Sequence, residues 1–403
     1  MTVKLGKATS VQHEASATPD NVLSRLAAVI AGEPDLAERL ARIQPVDQFA
    51  TALSDAARQR GITFDDAARE AIAGNRAAMF GSRVTQWPLA SRRGWQPFAL
   101  EWGPSGAELV WGRGVACAGT VFHEQVVMAL RSLPMNRMFA VRTPLTREFI
   151  SALEADALPV RGLVFHMSRC GSTLVAQALK AWPGVRVVGE PGLLDSAITL
   201  ACAGNDPDWM IFRAVIAALA QPAGTDRDVT IKLDAWHALA LTEIRRRICV
   251  PWLFVYRDPV EVLVSHAREP GRHTVPGMLP PAWFGTPVQT YDAAALVQYA
   301  AQVIGAICAA VAPHASAANL LNYEELPQAL TRVAQAFDLD PRAADPDRLA
   351  MLLTRHAKRP HESFADDRAT KRAAASGEIR AAAEHWIAPQ YMALETIRRG
   401  SVA

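Results

Sequence analysis

The sequence predicts an α/β protein whose parallel sheet is flanked by helices. From Arg161 onward, short apolar runs alternate with stretches of helical periodicity. This alternation is typical of a parallel sheet covered on both faces, in which ligands bind at the carboxyl ends of the strands. Polar and charged residues follow several of the apolar runs. The predicted strands comprise residues 163–166, 185–188, 229–233, 252–256 and 319–321.

A chain of 403 residues can bury a substantial core and hold more than one structural unit. We expect four regions. Residues 1–20 are polar and lack periodicity, which is typical of a flexible leader. Residues 21–76 carry apolar side chains at helical spacing, residues 77–158 form a small mixed α/β segment, and residues 159–403 form the domain that contains the parallel sheet.

The mixed segment is rich in tryptophan and predicts a hairpin followed by helix. Residues 98–102 and 108–111 flank Gly103-Pro104-Ser105-Gly106, which is a strong turn signal. We expect the tryptophans to form a small core rather than to stack on a substrate. Residues 122–153 return to helical spacing, with Pro144 opening the last part.

Overall composition argues against several classes of partner. The 42 basic and 40 acidic residues nearly cancel, so no global field attracts nucleic acid or an anionic membrane. The five cysteines are dispersed, which argues against disulfides or zinc and favours a cytoplasmic protein. No signal peptide is evident at the N-terminus. Residues 293–312 are apolar but interrupted by polar side chains, and we expect a buried helix rather than a membrane span.

A loop that follows the first predicted strand is the main candidate for anion binding. Its backbone N–H groups, together with those of the next helix, are expected to form a positive concave site. Gly171 allows a close backbone approach, Arg169 adds charge and the hydroxyls add donors, whereas Cys170 is expected to be a small filler rather than a nucleophile. The loop comprises Ser168, Arg169, Cys170, Gly171, Ser172 and Thr173.

The same loop departs from a nucleotide-triphosphate P-loop at two positions. A Gly-x-x-x-x-Gly-Lys-Ser/Thr motif ending at Thr173 requires glycine at 166 and lysine at 172, where this chain has His166 and Ser172. What remains, an arginine before x-Gly-Ser-Thr after a strand, resembles the 5′-phosphosulfate loop of sulfotransferases that use 3′-phosphoadenosine 5′-phosphosulfate (PAPS).

A second motif follows the predicted strand at 252–256. Arg257 ends the strand, Pro259 begins a helix and Ser265 lies two turns further on, which brings Arg257 and Ser265 near one another. This arrangement resembles the 3′-phosphate motif of sulfotransferases, in which the arginine and the serine hold the 3′-phosphate of PAPS. The alternative is that Arg257 only pairs with Asp258 or caps a carbonyl.

The resemblance also implies the catalytic residues. Cytosolic sulfotransferases carry Lys-x-His at a strand end, and this chain has Lys232 at the lysine position but Asp234 at the histidine position. Glycan-modifying and bacterial sulfotransferases commonly use a glutamate near the position of Glu190, which makes Glu190 the first candidate base, with Asp234 second and His237 third. A carboxylate can act as a base if partial burial or a neighbouring acid raises its pKa.

Two features near the C-terminus extend the resemblance. Tyr323-Glu324 belongs to a Tyr-Glu-x-Leu element that follows the last sheet strand in the family. Lys371 and Arg372 resemble the late basic loop that closes over the 3′-phosphate in the family, although the glycine that often follows there is missing. Solvated surface charge is an equally good interpretation of these two residues.

The resemblance therefore implies a PAPS-dependent sulfotransferase with the P-loop NTPase-like fold of that family. It implies in-line transfer without a metal to a hydroxyl or amine of a small-molecule, glycan or peptide acceptor. Two alternatives remain, namely a P-loop kinase or other phosphotransferase and a non-catalytic partner-binding protein. Residues 35–72 also weakly resemble Nif11-type leader modules, which implies docking of a peptide or protein, although a generic helical bundle is the other interpretation.

Overall fold

The computed structural model describes residues 12–13, 22–63, 72, 83–114, 120–280, 283–284, 293–356, 359–363 and 367–400. The chain divides into two compact units. Unit 1 contains Met1–Leu158 and Gly192–Asp226, and unit 2 contains Pro159–Pro191 and Arg227–Ala403. Most of the predicted leader, residues 1–20, lies outside the described residues. The four-part division predicted from the sequence stays a prediction.

Helices and strands are numbered in chain order over the described residues. The helices are α1 Val22–Gly32, α2 Pro34–Ala41, α3 Val46–Gln59, α4 Leu89–Arg92, α5 His123–Ser132, α6 Pro134–Phe139, α7 Arg147–Asp156, α8 Ser172–Ala178, α9 Gly192–Cys202, α10 Met210–Leu219, α11 Leu241–Arg247, α12 Pro259–Arg268, α13 Ala293–Val311, α14 Leu330–Ala336, α15 Pro346–Thr354, α16 Arg368–Ala373, α17 Gly377–Ala382 and α18 Ala388–Arg399. The strands are β1 Gln12–His13, β2 Val84–Gln86, β3 Trp95–Gly103, β4 Gly106–Arg113, β5 Val141–Pro144, β6 Val160–His166, β7 Val185–Gly189, β8 Asp228–Lys232, β9 Trp252–Tyr256, β10 Leu320–Asn322, β11 Arg355–His356 and β12 Arg359–Ser363.

Unit 1 contains the predicted hairpin and, within the predicted helical region 21–76, the helices α1, α2 and α3, whereas residues 64–71 and 73–76 lie outside the described residues. β3 and β4 pair antiparallel around the turn, and Trp87, Trp95 and Trp111 are buried in ring-to-ring contact. These three tryptophans confirm the expected small core. Trp102, which was expected to join it, lies near the end of β3 and is 64% exposed, so the prediction is wrong for that residue.

The prediction of helix throughout residues 122–153 is wrong in its middle. Val141–Pro144 forms β5 and pairs antiparallel with β4. The Thr143 side chain is fixed there because the Trp111 indole N–H donates to Thr143 Oγ1 over 2.8 Å. Helix α7 begins only after Thr146, whose hydroxyl caps it by accepting from the Phe149 N–H. Cross-strand pairing therefore prevailed over local helical spacing.

Unit 2 is built on a five-stranded parallel sheet in the order β10-β9-β6-β8-β7, flanked by helices. All five predicted strands are confirmed, with bounds that differ by at most three residues. The central strand β6 is apolar and buried from Leu163 to Phe165, as expected for a strand covered on both faces. Since all five strands run in one direction, their carboxyl ends form a single edge, and this edge carries the candidate site.

Helix α13 is long and apolar enough to cross a membrane by length and composition, over the segment Ala295–His314. Half of that segment is buried inside the molecule, where α13 packs against the 3₁₀ helix Ala235–Ala240 and against α18. A Cβ on Gly305 would lie 2.3 Å from the Trp386 carbonyl oxygen, so this glycine permits a close backbone approach. These contacts are those of the buried helix expected from the sequence, and the absence of a membrane span stays a prediction.

A buried carboxylate fixes the C-terminal helix to the sheet. Glu395 on α18 accepts from the Tyr256 hydroxyl over 2.5 Å and from the Asn322 amide over 3.0 Å, and it pairs with Arg398. Burial alone would raise the pKa of Glu395, but the Arg398 and Tyr256 hydrogen bonds outweigh it and lower the pKa to about 2.

Glu395→Gln is therefore expected to lower the free energy of unfolding by about 2 kcal/mol at pH 7, because the hydrogen bonds from Tyr256 and Arg398 lose their charged acceptor, although Arg398 keeps Glu325 as a partner at 3.3 Å. A carboxyl with a depressed folded pKa stabilises above its unfolded pKa of about 4.3, and this contribution is lost as the pH falls towards 2. Urea unfolding at pH 7 and pH 3 should thus show a smaller difference between the two proteins at pH 3. The exposed Glu384→Gln is the control, and an equal shift in both variants would contradict the argument.

Candidate functional site

The loop between β6 and α8 has an unusual backbone. Ser168 and Arg169 have φ values of 77° and 49°, and Gly171 has a φ of 86°. A Cβ on Gly171 would also lie 2.4 Å from Tyr323 Cδ2, so both conformation and space require glycine there. Left-handed residues in a loop that leads into a helix can turn successive N–H groups towards one point, which is how backbone loops bind anions.

His166 stabilises this loop, a role that the sequence did not reveal. The Ser168 N–H donates to His166 Nδ1 over 3.1 Å, and His166 Nε2 lies 2.9 Å from the Leu233 carbonyl oxygen. The two contacts together assign the proton to Nε2. Burial and then the charge of Lys232 lower the pKa of His166 to about 4, so the ring is neutral. The one sequence feature that could have indicated this role is that His166 stands where a P-loop has its first glycine.

Cys170 lies inside the loop as a buried thiol. Its Sγ donates to the Val255 carbonyl over 3.0 Å, and burial raises the pKa of the thiol. A neutral, hydrogen-bonded thiol is a poor nucleophile, which agrees with the filler role expected for it.

Arg169 extends from the loop to the end of α12. Its guanidinium donates to the Glu269 carbonyl over 2.6 Å and lies 3.0 Å from a Glu269 carboxylate oxygen. The Glu269 side chain is 72% exposed, so solvent screens this ion pair. An anion in the loop can therefore compete for Arg169 at low cost.

Lys232 and Glu190 lie side by side because of the register of the sheet. Gly189 of β7 is opposite Lys232 of β8, and the next residue, Glu190, donates its N–H to the Lys232 carbonyl over 2.7 Å. The Lys232 ammonium is buried and forms an ion pair with the Glu190 carboxylate. Burial alone would raise the pKa of Glu190, but Lys232 and then His166 hold it well below its usual range. This direction is the reverse of the raised pKa that suits a free carboxylate base.

Asp234 precedes the 3₁₀ helix Ala235–Ala240, and His237 lies in its first turn. The Asp234 N–H donates to His237 Nδ1 over 3.3 Å, and the His237 ring is fully buried against Trp236. His237 therefore organises the turn, and Asp234 is the more accessible of the two candidates.

A second cluster follows β9. Arg257 is buried; it donates through Nε to Glu261 over 2.6 Å and through Nη2 to Asp367 over 2.9 Å, and it stacks on the Tyr323 ring at 4.1 Å. Burial would lower the pKa of Arg257, but its two carboxylate partners raise it. Ser265 lies two turns along α12 and donates its hydroxyl to the Glu261 carbonyl over 2.8 Å. Glu261 thus connects the two residues of the predicted 3′-phosphate motif.

Helix α16 brings the predicted lid residues to the same cluster. Lys371 Nζ lies 2.7 Å from Asp367 Oδ2, and Arg372 Nε lies 2.7 Å from Glu261 Oε1. Asp367 therefore bridges Arg257 and Lys371 with its two oxygens. Arg257 therefore shares two carboxylates with Lys371 and Arg372, which lie more than 100 positions further along the chain. Residues 364–366, just before Asp367, lie outside the described residues.

The fold and the site define the chain as an α/β protein with two cationic clusters at the carboxyl edge of a parallel sheet. One cluster contains the loop, Arg169 and Lys232, and the other contains Arg257, Lys371 and Arg372. Neither a protein-family model nor a curated protein matches the chain.

Proposed function

We propose that this protein is a sulfotransferase that moves a sulfuryl group from PAPS to an acceptor hydroxyl or amine. The observation that carries the proposal is the convergence of Arg257, Lys371 and Arg372 around Asp367 and Glu261, beside the strand that adjoins the anion loop. Two separate cationic clusters suit a donor with a phosphate at each end better than they suit a nucleotide with all its phosphates at one end.

The strand order supports an orientation for the donor. β6 carries the loop and lies between β8, which ends in Lys232, and β9, which precedes Arg257. Neighbouring strands are about 4.8 Å apart, so the two outer sites are separated by about 10 Å at the strand ends. The 3′-phosphate would bind at Arg257, the 5′-phosphosulfate at the loop, and the sulfuryl group would point towards Lys232 and Glu190.

In this structure, the cations that would bind the donor are paired with carboxylates of the protein itself. Asp367 bridges Arg257 and Lys371 with one oxygen for each, which is how a phosphate bridges two cations. The Asp367 side chain is 46% exposed, so it can return to water when a doubly charged phosphate replaces it. The same exchange would release Arg169 from Glu269.

The transfer itself requires positioning and charge stabilisation rather than a metal-bound step. The bond between the sulfur and the bridging oxygen of the phosphosulfate breaks as the acceptor attacks, and the acceptor proton passes to Glu190 or, as the second candidate, Asp234. Lys232 is paired with Glu190 in this structure. As the Lys232 ammonium shifts to the charge that develops on the leaving oxygen, the pKa of Glu190 rises and the carboxylate becomes a better base.

Thermal unfolding with three ligands tests the donor assignment. Adenosine 3′,5′-bisphosphate is expected to raise Tm by several degrees, by mass action on the folded state. Adenosine 5′-monophosphate, which lacks the 3′-phosphate, is the matched control and should have a much smaller effect. No shift with saturating bisphosphate would refute the assignment, and a larger shift with Mg²⁺ and ATP would favour a P-loop phosphotransferase.

A further inference from the structure

A buried histidine, His273, has a ring whose two nitrogens are unsatisfied by the part of the chain that the structure describes. It lies in the 3₁₀ turn Arg272–Thr274 just beyond α12, and only 3% of its surface is exposed. Neither ring nitrogen has a hydrogen-bond partner among the residues that the structure describes. Buried polar groups without partners are rare and destabilising, so two on one ring require an explanation.

The ring is held firmly in place. Trp236 and His266 contact it with centroid distances of 5.4 and 5.3 Å, the latter edge-on. A Cβ on Gly271 would lie 2.8 Å from His273 Cε1, so the backbone also touches the ring. His266 is engaged separately, because its Nδ1 accepts from the Gly271 N–H and lies 3.2 Å from Thr274 Oγ1. Rotation of His273 towards another partner is therefore obstructed.

Two contacts place the ring beside the candidate site, because Trp236, which touches it, follows Asp234 by two residues, and Arg169 of the anion loop donates to Glu269, four residues before His273. Burial is the main cause of its pKa of about 3, and His166, Glu190 and Arg169 contribute electrostatically. The ring is therefore neutral and presents one N–H donor and one lone pair. The sulfuryl end of the proposed donor would lie among these same groups.

We propose that His273 binds the acceptor in the proposed sulfuryl transfer and selects a hydroxyl over an amine. A hydroxyl oxygen has two lone pairs, so it accepts from the His273 N–H with one and attacks sulfur with the other. A neutral amine has a single lone pair, which cannot serve both purposes. If an amine attacked sulfur, the buried N–H of His273 would remain without an acceptor. A site with a polar group left unpaired in this way discriminates strongly against that substrate.

His273→Phe separates this role from a structural one. Phenylalanine has a similar shape without unsatisfied nitrogens, so we expect Tm to rise by about 2–4 °C in the absence of ligand. The same variant should reduce transfer from PAPS to water, the simplest hydroxyl acceptor, at least tenfold, while the dissociation constant for adenosine 3′,5′-bisphosphate changes less than twofold. The exposed His385→Phe is the control and should change neither rate nor affinity. A lowered Tm or an undiminished rate for His273→Phe would overturn the inference.

A second experiment uses the unmodified protein with 4-aminophenol, which carries a hydroxyl and a neutral amine on one ring. Mass spectrometry of the product should show the O-sulfate, and a predominant N-sulfate would contradict the selection of a hydroxyl. This inference rests on the proposed function, yet the two fail differently. Absence of bisphosphate binding counts against the donor assignment, whereas normal binding with an undiminished rate in His273→Phe counts against the role of His273 alone.

Discussion

Replacing Lys232 with methionine is expected to destabilise the protein by roughly 3 kcal/mol at pH 7, because a partly buried carboxylate then loses its cation. Lys232 is 1% exposed, and its ammonium is paired with the Glu190 carboxylate beside the neutral ring of His166. Methionine fills nearly the same volume, so lost charge rather than lost volume determines the effect.

The pH dependence has a definite sign. In the wild type the folded pKa of Glu190 is depressed, so the carboxylate stabilises the fold above its unfolded pKa of about 4.3, and this stabilisation is lost as the pH falls. In Lys232→Met the ammonium is gone, so burial raises the pKa of Glu190. At low pH the Glu190 carboxylate is then protonated, which removes the unpaired buried charge and with it most of the destabilisation. Urea unfolding at pH 7, 5 and 3.5 should show the difference between the two proteins shrinking as the pH decreases.

The double variant Glu190→Gln/Lys232→Met is the matched control. Removing both charges should restore most of the lost stability, since an ion pair replaced by neutral groups of similar size is often nearly neutral. A double-mutant cycle measures this coupling directly, and additive losses would contradict it. Transfer from PAPS should fall about 10²–10³-fold in the single variant, as for removal of one donor that stabilises transition-state charge.

The periodicity of apolar residues and the order of the motifs along the chain predicted much of unit 2. The five apolar runs predicted as strands form the parallel sheet, and their carboxyl ends therefore meet at one edge. The nearness of Lys232 and Glu190 follows from the same logic, because two adjacent strands end in register. What the sequence did not reveal is that the two side chains pair, which lowers the pKa of Glu190 instead of raising it.

Contacts between distant segments were the least predictable. From the sequence alone, Lys371 and Arg372 could belong either to a lid over the donor or to solvated surface charge. Nothing in the local sequence specifies that α16 packs against α12. The sequence likewise contained no indication of a role for Asp367, although its carboxylate connects Arg257 to Lys371. His273 has no periodic or motif signal, because what distinguishes it is the lack of hydrogen-bond partners among the described residues, a property that only tertiary structure defines. Tertiary context likewise decided β5, where pairing with β4 prevailed over local spacing.

Arg257→Ala is expected to weaken binding of adenosine 3′,5′-bisphosphate about 100-fold, because truncating one member of a buried, hydrogen-bonded charge pair costs several kcal/mol. Binding of adenosine 5′-phosphosulfate, which has no 3′-phosphate, should change less than threefold. Arg257→Lys should fall between, since it keeps the charge but loses the fork that engages two acceptors. Isothermal titration calorimetry with both ligands measures the contrast.

The fold should survive this substitution, because each carboxylate partner of Arg257 keeps a second cation. Glu261 retains Arg372, and Asp367 retains Lys371. The control is Arg246→Ala, which removes an exposed arginine paired with Glu243 on α11 and should leave both affinities unchanged. Equal weakening of both ligands in Arg257→Ala would mean that the Arg257 side chain supports the anion loop, through the Tyr323 ring that lies against both Arg257 and Gly171, rather than a separate 3′-phosphate site. Selective loss of the bisphosphate, in contrast, would support a donor held by a phosphate at each end.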